Sequence, residues 1–282
     1  MSTLLQALSP WEFSPTLVLL TGLVACLYVR GWRAQAAGAR PVWWRIWMFV
    51  IGVGLVYAVM HTRIDYYARY LFWPHRVQHL VLHHLGPFLI MLAHPHPTLA
   101  AGLPPRWRSV LGRLWNSAVV QGVYRGLQQP LVAAVLFVGL ICFWLTPAIH
   151  FDAMLSARRY LVMNWSMLVD GLLFWWLIFD PRTDGVRHLG FGPRLLLLVA
   201  VVPPQILIGA YISLSHHELF DVYSVCGRAA NISPMTDQQI GGLTTWIPAS
   251  MMSVVAALIV LSRRLRVDAA DGRRAGALTA NP

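Results

Sequence analysis

Long apolar runs separated by short polar segments form the dominant pattern of this 282-residue chain. A helix that crosses the hydrocarbon core of a bilayer needs about 17–25 mostly apolar residues. Seven runs are of about this length, at residues 15–30, 45–61, 77–93, 130–147, 161–179, 194–214 and 245–262. The pattern therefore predicts an all-α fold, a polytopic membrane helical bundle with seven transmembrane helices.

Composition supports a membrane protein, because 57% of the residues are apolar, 12% are charged and the mean hydropathy is +0.57. The third run fits a span least well, since it carries His79, His83 and His84 and transfer scales penalise polar groups. If that run did not cross the membrane, every later helix would be inverted. We expect one membrane domain over residues 1–267 and a short polar cytoplasmic tail over residues 268–282.

The basic residues indicate orientation. All 22 are arginines; sixteen lie in the first, third and fifth loops and the tail, and six lie on the opposite side. Because cytoplasmic loops hold the excess of positive charge, this distribution places the N-terminus outside and the C-terminus in the cytoplasm. Arginines in short loops form no continuous basic face, so the net charge of +11 indicates a lipid bilayer as partner and no nucleic acid.

The first run lacks the basic start and the small-residue cleavage site of a signal peptide, so it is expected to remain as a span. Cys26, Cys142 and Cys226 are far apart and form neither a disulfide framework nor a Cys-x-x-Cys site. The stretch 104–129 alternates arginine with apolar residues, as does an amphipathic helix lying in the membrane interface. The outer loop at residues 215–244 shows no obvious secondary structure and is long enough to suggest a functional role.

Three histidines, one just before the third run and two within it, recur every four residues. On a helix His75, His79 and His83 lie within about 80° of one another, so they form a stripe that descends from the outer surface into the bilayer. Imidazoles four residues apart can share one metal ion. The alternative is structural: each histidine hydrogen-bonds to backbone carbonyls or to the surface aspartates. His84 faces away from the stripe and is not assigned as a ligand.

Thioethers in the outer half of the bundle indicate which metal could bind. Met163 and Met167 are four residues apart in the fifth run, and thioethers with imidazoles suit copper as Cu(I). Asp170 in the same run is an ionisable residue within a span and is a functional candidate by default. We expect an arginine or a histidine of the third run as its partner. His216 and His217 in the outer loop are further candidate ligands.

Two motifs resemble the CtaG-type cytochrome c oxidase assembly factors, over about residues 56–261. They are His75-Arg-Val-Gln-His79 and Asp237-Gln-Gln-Ile-Gly-Gly242. The resemblance implies a seven-span protein of the bacterial inner (cytoplasmic) membrane, not an enzyme, that assists maturation of haem-copper oxidases. It implies a haem-copper oxidase subunit and a periplasmic copper donor as partners, with copper as the cargo.

Carried over to this chain, the resemblance makes His75 and His79 the copper-handling pair. It makes Asp237 and Gln238 a structural or gating element at the mouth of the site. Where many members carry a further histidine early in the fifth span, this chain has Met163-Asn164-Trp165. The expected site therefore mixes imidazole with thioether, and His216 or His217 could supply a missing nitrogen.

Two other functions fit the same residues. In a membrane haem protein, His79 or His83 would pair with His150 or His216 as axial ligands. In a metal or proton transporter, Asp170 would act as a relay within the membrane. The sequence contains no nucleophile with an adjacent base and no phosphate-binding glycine loop.

Overall fold

The computed structural model describes residue 9 and residues 12–181 and 189–279, and in this part the chain is helical throughout, without strands. The helices are α1 Pro15–Ala34, α2 Trp43–His61, α3 Arg63–Tyr70, α4 Phe72–His79, α5 Gly86–Ala93, α6 His96–Gly102, α7 Pro105–Trp115, α8 Ala118–Leu127, α9 Pro130–Trp144, α10 Pro147–Met154, α11 Ala157–Phe179, α12 Phe191–Leu214, α13 Val222–Val225 and α14 Pro234–Thr279. A π-helical segment, Leu80–Leu85, joins α4 to α5, and a 3₁₀ turn, Ala37–Ala39, follows α1. The predicted all-α class is confirmed.

The number of membrane spans is confirmed only in part. Among the described residues, five helices are long and apolar enough to cross a membrane: α1, α2, α11, α12 and residues Pro234–Ala270 of α14. A sixth span results if α8 and α9, which meet at a bend of 69°, are counted together. Alone, α9 has 15 residues and is shorter than an ordinary crossing. The placement of the termini stays a prediction.

The third predicted span is a helical run in three pieces: α4, the π segment and α5. Leu80 and Leu85, which join the pieces, both have right-handed helical backbone angles, so the run continues from Phe72 to Ala93. It packs against α2, α11 and α14. Because protein rather than lipid surrounds it, the polar side chains that weaken its hydropathy are accommodated.

Close approach of α11 to the π segment depends on one glycine. A Cβ atom built on Gly171 would lie 2.4 Å from the backbone oxygen of His83. Any larger residue would push the two helices apart. The same oxygen accepts a hydrogen bond from Trp175 Nε1 at 3.3 Å. Gly171 and Trp175 therefore fix α11, which carries Asp170, against the histidine-bearing run.

The outer loop at residues 215–244 is more ordered than its sequence indicated. It contains α13, and α14 begins at Pro234, within the predicted loop. Ser233 starts that helix, because its hydroxyl oxygen accepts a hydrogen bond from the backbone N–H of Thr236 at 3.1 Å. The predicted interface stretch forms α7 and α8, where Trp107 and Val119 are 60% and 77% exposed. Its role as an anchor stays a prediction.

Candidate functional site

Three imidazoles meet at one end of the bundle. His75 and His79 lie on α4, and His150 comes from α10. The ring centroids of His75 and His79 are 4.3 Å apart, and those of His75 and His150 are 5.0 Å apart at nearly a right angle. None of the three is more than 1% exposed. We call these residues the outer histidine cluster.

His75 is the central member, and its ring nitrogens are unpartnered. The backbone of Ala68 lies near the ring, but neither nitrogen makes a well-formed hydrogen bond to any described residue. A buried polar group without a partner costs about 1–3 kcal/mol. A buried imidazole without a hydrogen bond is tolerated most readily where a ligand or an ordered water binds its nitrogens.

His79 has partners on both ring nitrogens. Arg76 Nη1 lies 3.3 Å from its Nδ1, and Asn164 Oδ1 lies 3.1 Å from its Nε2. Because a guanidinium only donates, Nδ1 of His79 accepts, so Nε2 carries the proton and donates to Asn164. A metal ion that binds His79 must therefore displace one of these partners.

Arg76 is unusual because it is a buried cation without a carboxylate. It is 4% exposed, and its Nε donates to Thr245 Oγ1 at 3.0 Å. Among the described residues no carboxylate lies within ion-pair distance of its guanidinium. The outer histidine cluster therefore lies beside a positive charge that side chains do not neutralise.

His150 is held in one tautomer. Its Nδ1 donates to the backbone oxygen of Trp144 at 3.0 Å, and Tyr223 donates its hydroxyl proton to Nε2 at 2.9 Å. Burial, with a smaller effect of the Arg76 charge, lowers the pKa of His150 to about 3. This imidazole is neutral at physiological pH, as a metal ligand must be.

The fifth predicted span contributes the residues that the sequence placed there. Met163 and Met167 are 0% and 1% exposed, and both belong to the apolar cluster around Tyr160 and Tyr223. Asn164 contacts His79, at the point where the resemblance indicated a missing histidine. The carboxamide of this stretch thus lies against the outer histidine cluster.

A carboxylate network beside the outer cluster escaped the sequence reasoning. Asp65 Oδ1 accepts from Gln78 Nε2 at 2.9 Å and from the Tyr160 hydroxyl at 2.8 Å, and Arg69 pairs with Asp65 at 3.0 Å. Gln78 also donates to the backbone oxygen of Val59 at 2.8 Å. The glutamine within His-x-x-Gln-His was the available signal, since it fixes α4 to α2 and α3.

A second histidine group lies deeper, on the π segment. His83 Nε2 is 2.9 Å from Asp170 Oδ2, and His83 Nδ1 is 3.3 Å from His84 Nδ1. Asp170 thus has the histidine partner that was one of the predicted alternatives. His84 Nε2 is buried without a hydrogen bond and lies beside Gln205, whose amide atoms are also unpartnered. We call His83, His84 and Asp170 the inner histidine group.

Asp237 and Gln238 hold the outer end together. Asp237 is fully buried and accepts the backbone N–H groups of Phe72 at 3.0 Å and Trp73 at 2.8 Å, so it caps the N-terminus of α4. Arg228 pairs with the same carboxylate. Gln238 accepts from Leu219 N–H at 2.7 Å and donates to the backbone oxygens of Ile212, near the end of α12, and His217. Asp237 therefore holds the helix that carries His75, and Gln238 holds the end of α12 and the start of the outer loop.

The exposed loop histidines lie apart from this arrangement. His216 and His217 are exposed, and His217 Nδ1 lies 3.3 Å from Ser215 Oγ. The structure gives neither residue a contact with His75, His79 or His150 in the described part of the chain. Their assignment as ligands stays a prediction that the geometry does not assist.

Two cavities adjoin the outer cluster. One, of about 340 Å³, is lined by Glu12, Met60, Asp65, Tyr160 and Asn164 among others, so it ends one side chain away from His79. The other, of about 10 Å³, suffices for about one water and has a lining that includes Arg76, His79, His84 and Met167. The larger cavity reaches Tyr160 and Asn164, and the smaller one lies between the two histidine groups.

The described residues contain no set of three His, Cys, Asp or Glu side chains arranged to hold a metal ion. The geometry therefore shows converging imidazoles with an unpartnered member, and not a complete ligand shell. From α11, the carboxamide of Asn164 contacts His79, and Met167 lines the small cavity beside His79.

No curated protein and no solved structure matches this chain. A family model does match, over residues 26–267, and its description is cytochrome c oxidase caa3 assembly factor. That match covers most of the chain, including both histidine groups and both motifs. The chain belongs to the cytochrome c oxidase caa3 assembly factor family (Caa3_CtaG).

Proposed function

We propose that this oxidase assembly factor binds copper as Cu(I) at the outer histidine cluster and passes it to the copper site of a haem-copper oxidase. The supporting observation is His75, a fully buried imidazole in contact with two others and without a hydrogen bond on either nitrogen. Imidazole nitrogens and thioethers are ligands that copper accepts.

Cu(I) would enter from a periplasmic donor through the cavity that ends at Tyr160 and Asn164. His75 would be its first ligand, because only this imidazole in the cluster has nitrogens free of hydrogen bonds. His79 would join after Asn164 or Arg76 moves aside. The nearby thioethers of Met163 and Met167 would complete a mixed shell, and the bound ion would leave to the oxidase without a redox step.

The same geometry favours copper over haem. A porphyrin needs its plane to lie between two axial imidazoles. His75 and His150 are in edge-to-face contact at 5.0 Å, and His83 is occupied by Asp170. Neither arrangement leaves a slot for a porphyrin.

The test is copper loading of the detergent-purified protein under reducing conditions, followed by metal analysis and an absorbance spectrum. We expect about one bound copper in the wild type, loss of it in His75→Leu, and no Soret band. His61→Leu is the matched control, because His61 is also buried with an unpartnered Nδ1 but lies outside the cluster, against Tyr57 and Phe13.

Equal copper in wild type and His75→Leu would contradict the proposed site. A Soret band in the purified protein would show bound haem, and haem would then take the place of copper in the proposed function. A deletion strain complemented with His75→Leu should contain oxidase that is assembled but poor in copper, and normal copper content there would contradict delivery.

A further inference from the structure

The largest cavity described here lies far from the histidine groups, at the opposite end of the bundle. It has a volume of about 590 Å³, within the range of small-molecule sites. It is enclosed by the start of α2, the end of α5, the end of α11, the start of α12 and the later part of α14. Under the predicted orientation this is the cytoplasmic side.

Arginines dominate the charged part of the lining, which includes Arg45, Arg194, Arg263 and Arg266 together with one carboxylate, Asp180. Arg194 is buried and donates to the backbone oxygens of Ile178, Leu189 and Asp180, so it is used within the fold. Arg45, Arg263 and Arg266 have no carboxylate within ion-pair distance among the residues that the structure describes. The cavity therefore offers three positive charges without a side-chain counterion.

Two buried nitrogens at this cavity also lack hydrogen bonds. They are Nε of Arg45 and Nδ1 of His94. His94 ends α5 with left-handed backbone angles (φ 54°), and its ring stacks on Trp176. Burial, then the charges of His96 and Arg45, lower the pKa of His94 to about 4. This histidine is therefore neutral at physiological pH and adds no positive charge to that of the arginines.

Apart from Asp180, His94 and Ser262, the rest of the lining is apolar. Leu92, Phe179, Phe191, Ile259 and Val267 form it, and Trp44 stands at its edge. Arg45 lies over the Trp44 ring, and Arg263 lies over the Phe179 ring. A ligand that suits this cavity has an anionic head and an apolar body.

We propose that this cavity is a binding site for one anionic phospholipid, with its phosphate among Arg45, Arg263 and Arg266 and its acyl chains against the apolar wall. A membrane supplies this ligand directly, and basic pockets between helices on the cytoplasmic side are suited to acidic headgroups. The site is independent of copper and of the outer histidine cluster. It would fix the ends of α2 and α14 to each other through a shared lipid.

The test compares lipid retention by native mass spectrometry after incubation with phosphatidylglycerol or phosphatidylcholine. We expect the wild type to retain one phosphatidylglycerol at least about tenfold better than phosphatidylcholine, given about 1 kcal/mol for each arginine near an anionic headgroup. Arg45→Gln/Arg263→Gln/Arg266→Gln should lose this preference. The matched control is Arg106→Gln/Arg113→Gln/Arg125→Gln, which removes equal charge from exposed arginines on the same side.

Equal loss in both triple variants would overturn the proposal, because surface charge alone would then explain the preference. Protection of the wild type against heat by inorganic phosphate as effectively as by phosphatidylglycerol would also overturn it. If the cavity triple variant does not fold, Arg266→Gln alone decides the matter, since Arg266 is exposed and its loss should spare the fold. It should weaken retention of phosphatidylglycerol several-fold, and unchanged retention would count against the site.

Discussion

The two histidine groups lie on one helical run but have opposite electrostatic neighbours. In the inner group His83 lies 2.9 Å from the carboxylate of Asp170. In the outer cluster His79 instead accepts a hydrogen bond from the guanidinium of Arg76 at 3.3 Å, and His75 has no partner on either nitrogen. A carboxylate stabilises an adjacent imidazole in either protonation state, whereas a guanidinium favours the neutral form and repels a bound cation.

This difference supports a structural role for the inner group and the proposed ligand-binding role for the outer cluster. The inner group has a counter-charge, a hydrogen bond from Trp175 to the His83 backbone, and a glycine that brings α11 into contact, although Nε2 of His84 lacks a partner. The outer cluster has an imidazole without a partner on either nitrogen beside an uncompensated cation, and two cavities adjoin it, the smaller of which also reaches His84. Burial alone does not distinguish the groups, since the histidines of both are at most 3% exposed. Their hydrogen-bond partners do.

The largest expected effect separates the two groups by stability. Asp170→Ala removes the partner of His83 and leaves a buried imidazole nitrogen unsatisfied, so it should lower the free energy of unfolding by about 1–3 kcal/mol. His75→Leu removes no hydrogen bond and fills much of the same space, so it should change stability by less than about 1.5 kcal/mol. Thermal unfolding of both variants in the same detergent measures the difference.

For copper affinity the two variants should differ the other way round. Asp170→Ala should bind copper as the wild type does, and His75→Leu should lose copper binding. Asp170→Asn is the conservative control, since its amide oxygen can still accept from His83. A large stability loss in His75→Leu together with a small one in Asp170→Ala would reverse the assignment of the two groups.

The sequence predicted the helical class and most of the spans because long apolar runs are a property of composition alone. It was less informative about the third run, whose crossing of the membrane stays a prediction, and about the outer loop, for different physical reasons. The third run is covered by protein, so its hydropathy falls below that of lipid-exposed helices, and it divides at the π segment Leu80–Leu85. The loop was misread because Ser233 caps a helix whose first turns are polar.

For the site, helical spacing correctly brought His75 and His79 together, since four residues make about one turn. Spacing could not show that His83, next on the same stripe, bonds to Asp170 on another helix. It also could not bring in His150 from α10 or the Asp65–Tyr160 pair, because such contacts depend on tertiary packing. Arg76 is within the recognised motif, yet its lack of a carboxylate is visible only in three dimensions.

A smaller effect is expected from removing the positive charge beside the outer cluster. If copper binds there, Arg76→Gln should tighten Cu(I) binding by about tenfold, because a guanidinium a few ångströms from a cation opposes it even at a high effective dielectric constant. Arg76→Lys keeps the charge and should bind as the wild type does. Competition with a Cu(I) chelator measures the affinities.

Thr245→Asp tests the same idea by a different route. It places a carboxylate where Arg76 Nε now donates to a hydroxyl, so the guanidinium is neutralised without being removed. This variant should also tighten binding. Weaker binding in both Arg76→Gln and Thr245→Asp would mean that Arg76 organises the ligands and does not oppose the ion, and the contrast between the two histidine groups would lose its electrostatic basis.

The smallest expected effect is the response of the outer cluster to acid. His150 has a folded-state pKa of about 3, below the ordinary histidine value of about 6.5 that it regains on unfolding. The unfolded chain therefore binds a proton that the folded protein excludes, so this group's contribution to stability is complete above about pH 6.5 and is lost as the pH falls towards 3. The slope is at most about 1.4 kcal/mol per pH unit for one group.

His150→Gln can still bond to Trp144 and Tyr223 but does not titrate, so the drop in its unfolding midpoint between neutral and mildly acidic pH should be smaller than the wild type's. An identical drop in both proteins would mean that His150 is no source of the acid sensitivity, and that the outer cluster accepts protons as readily as an exposed histidine does.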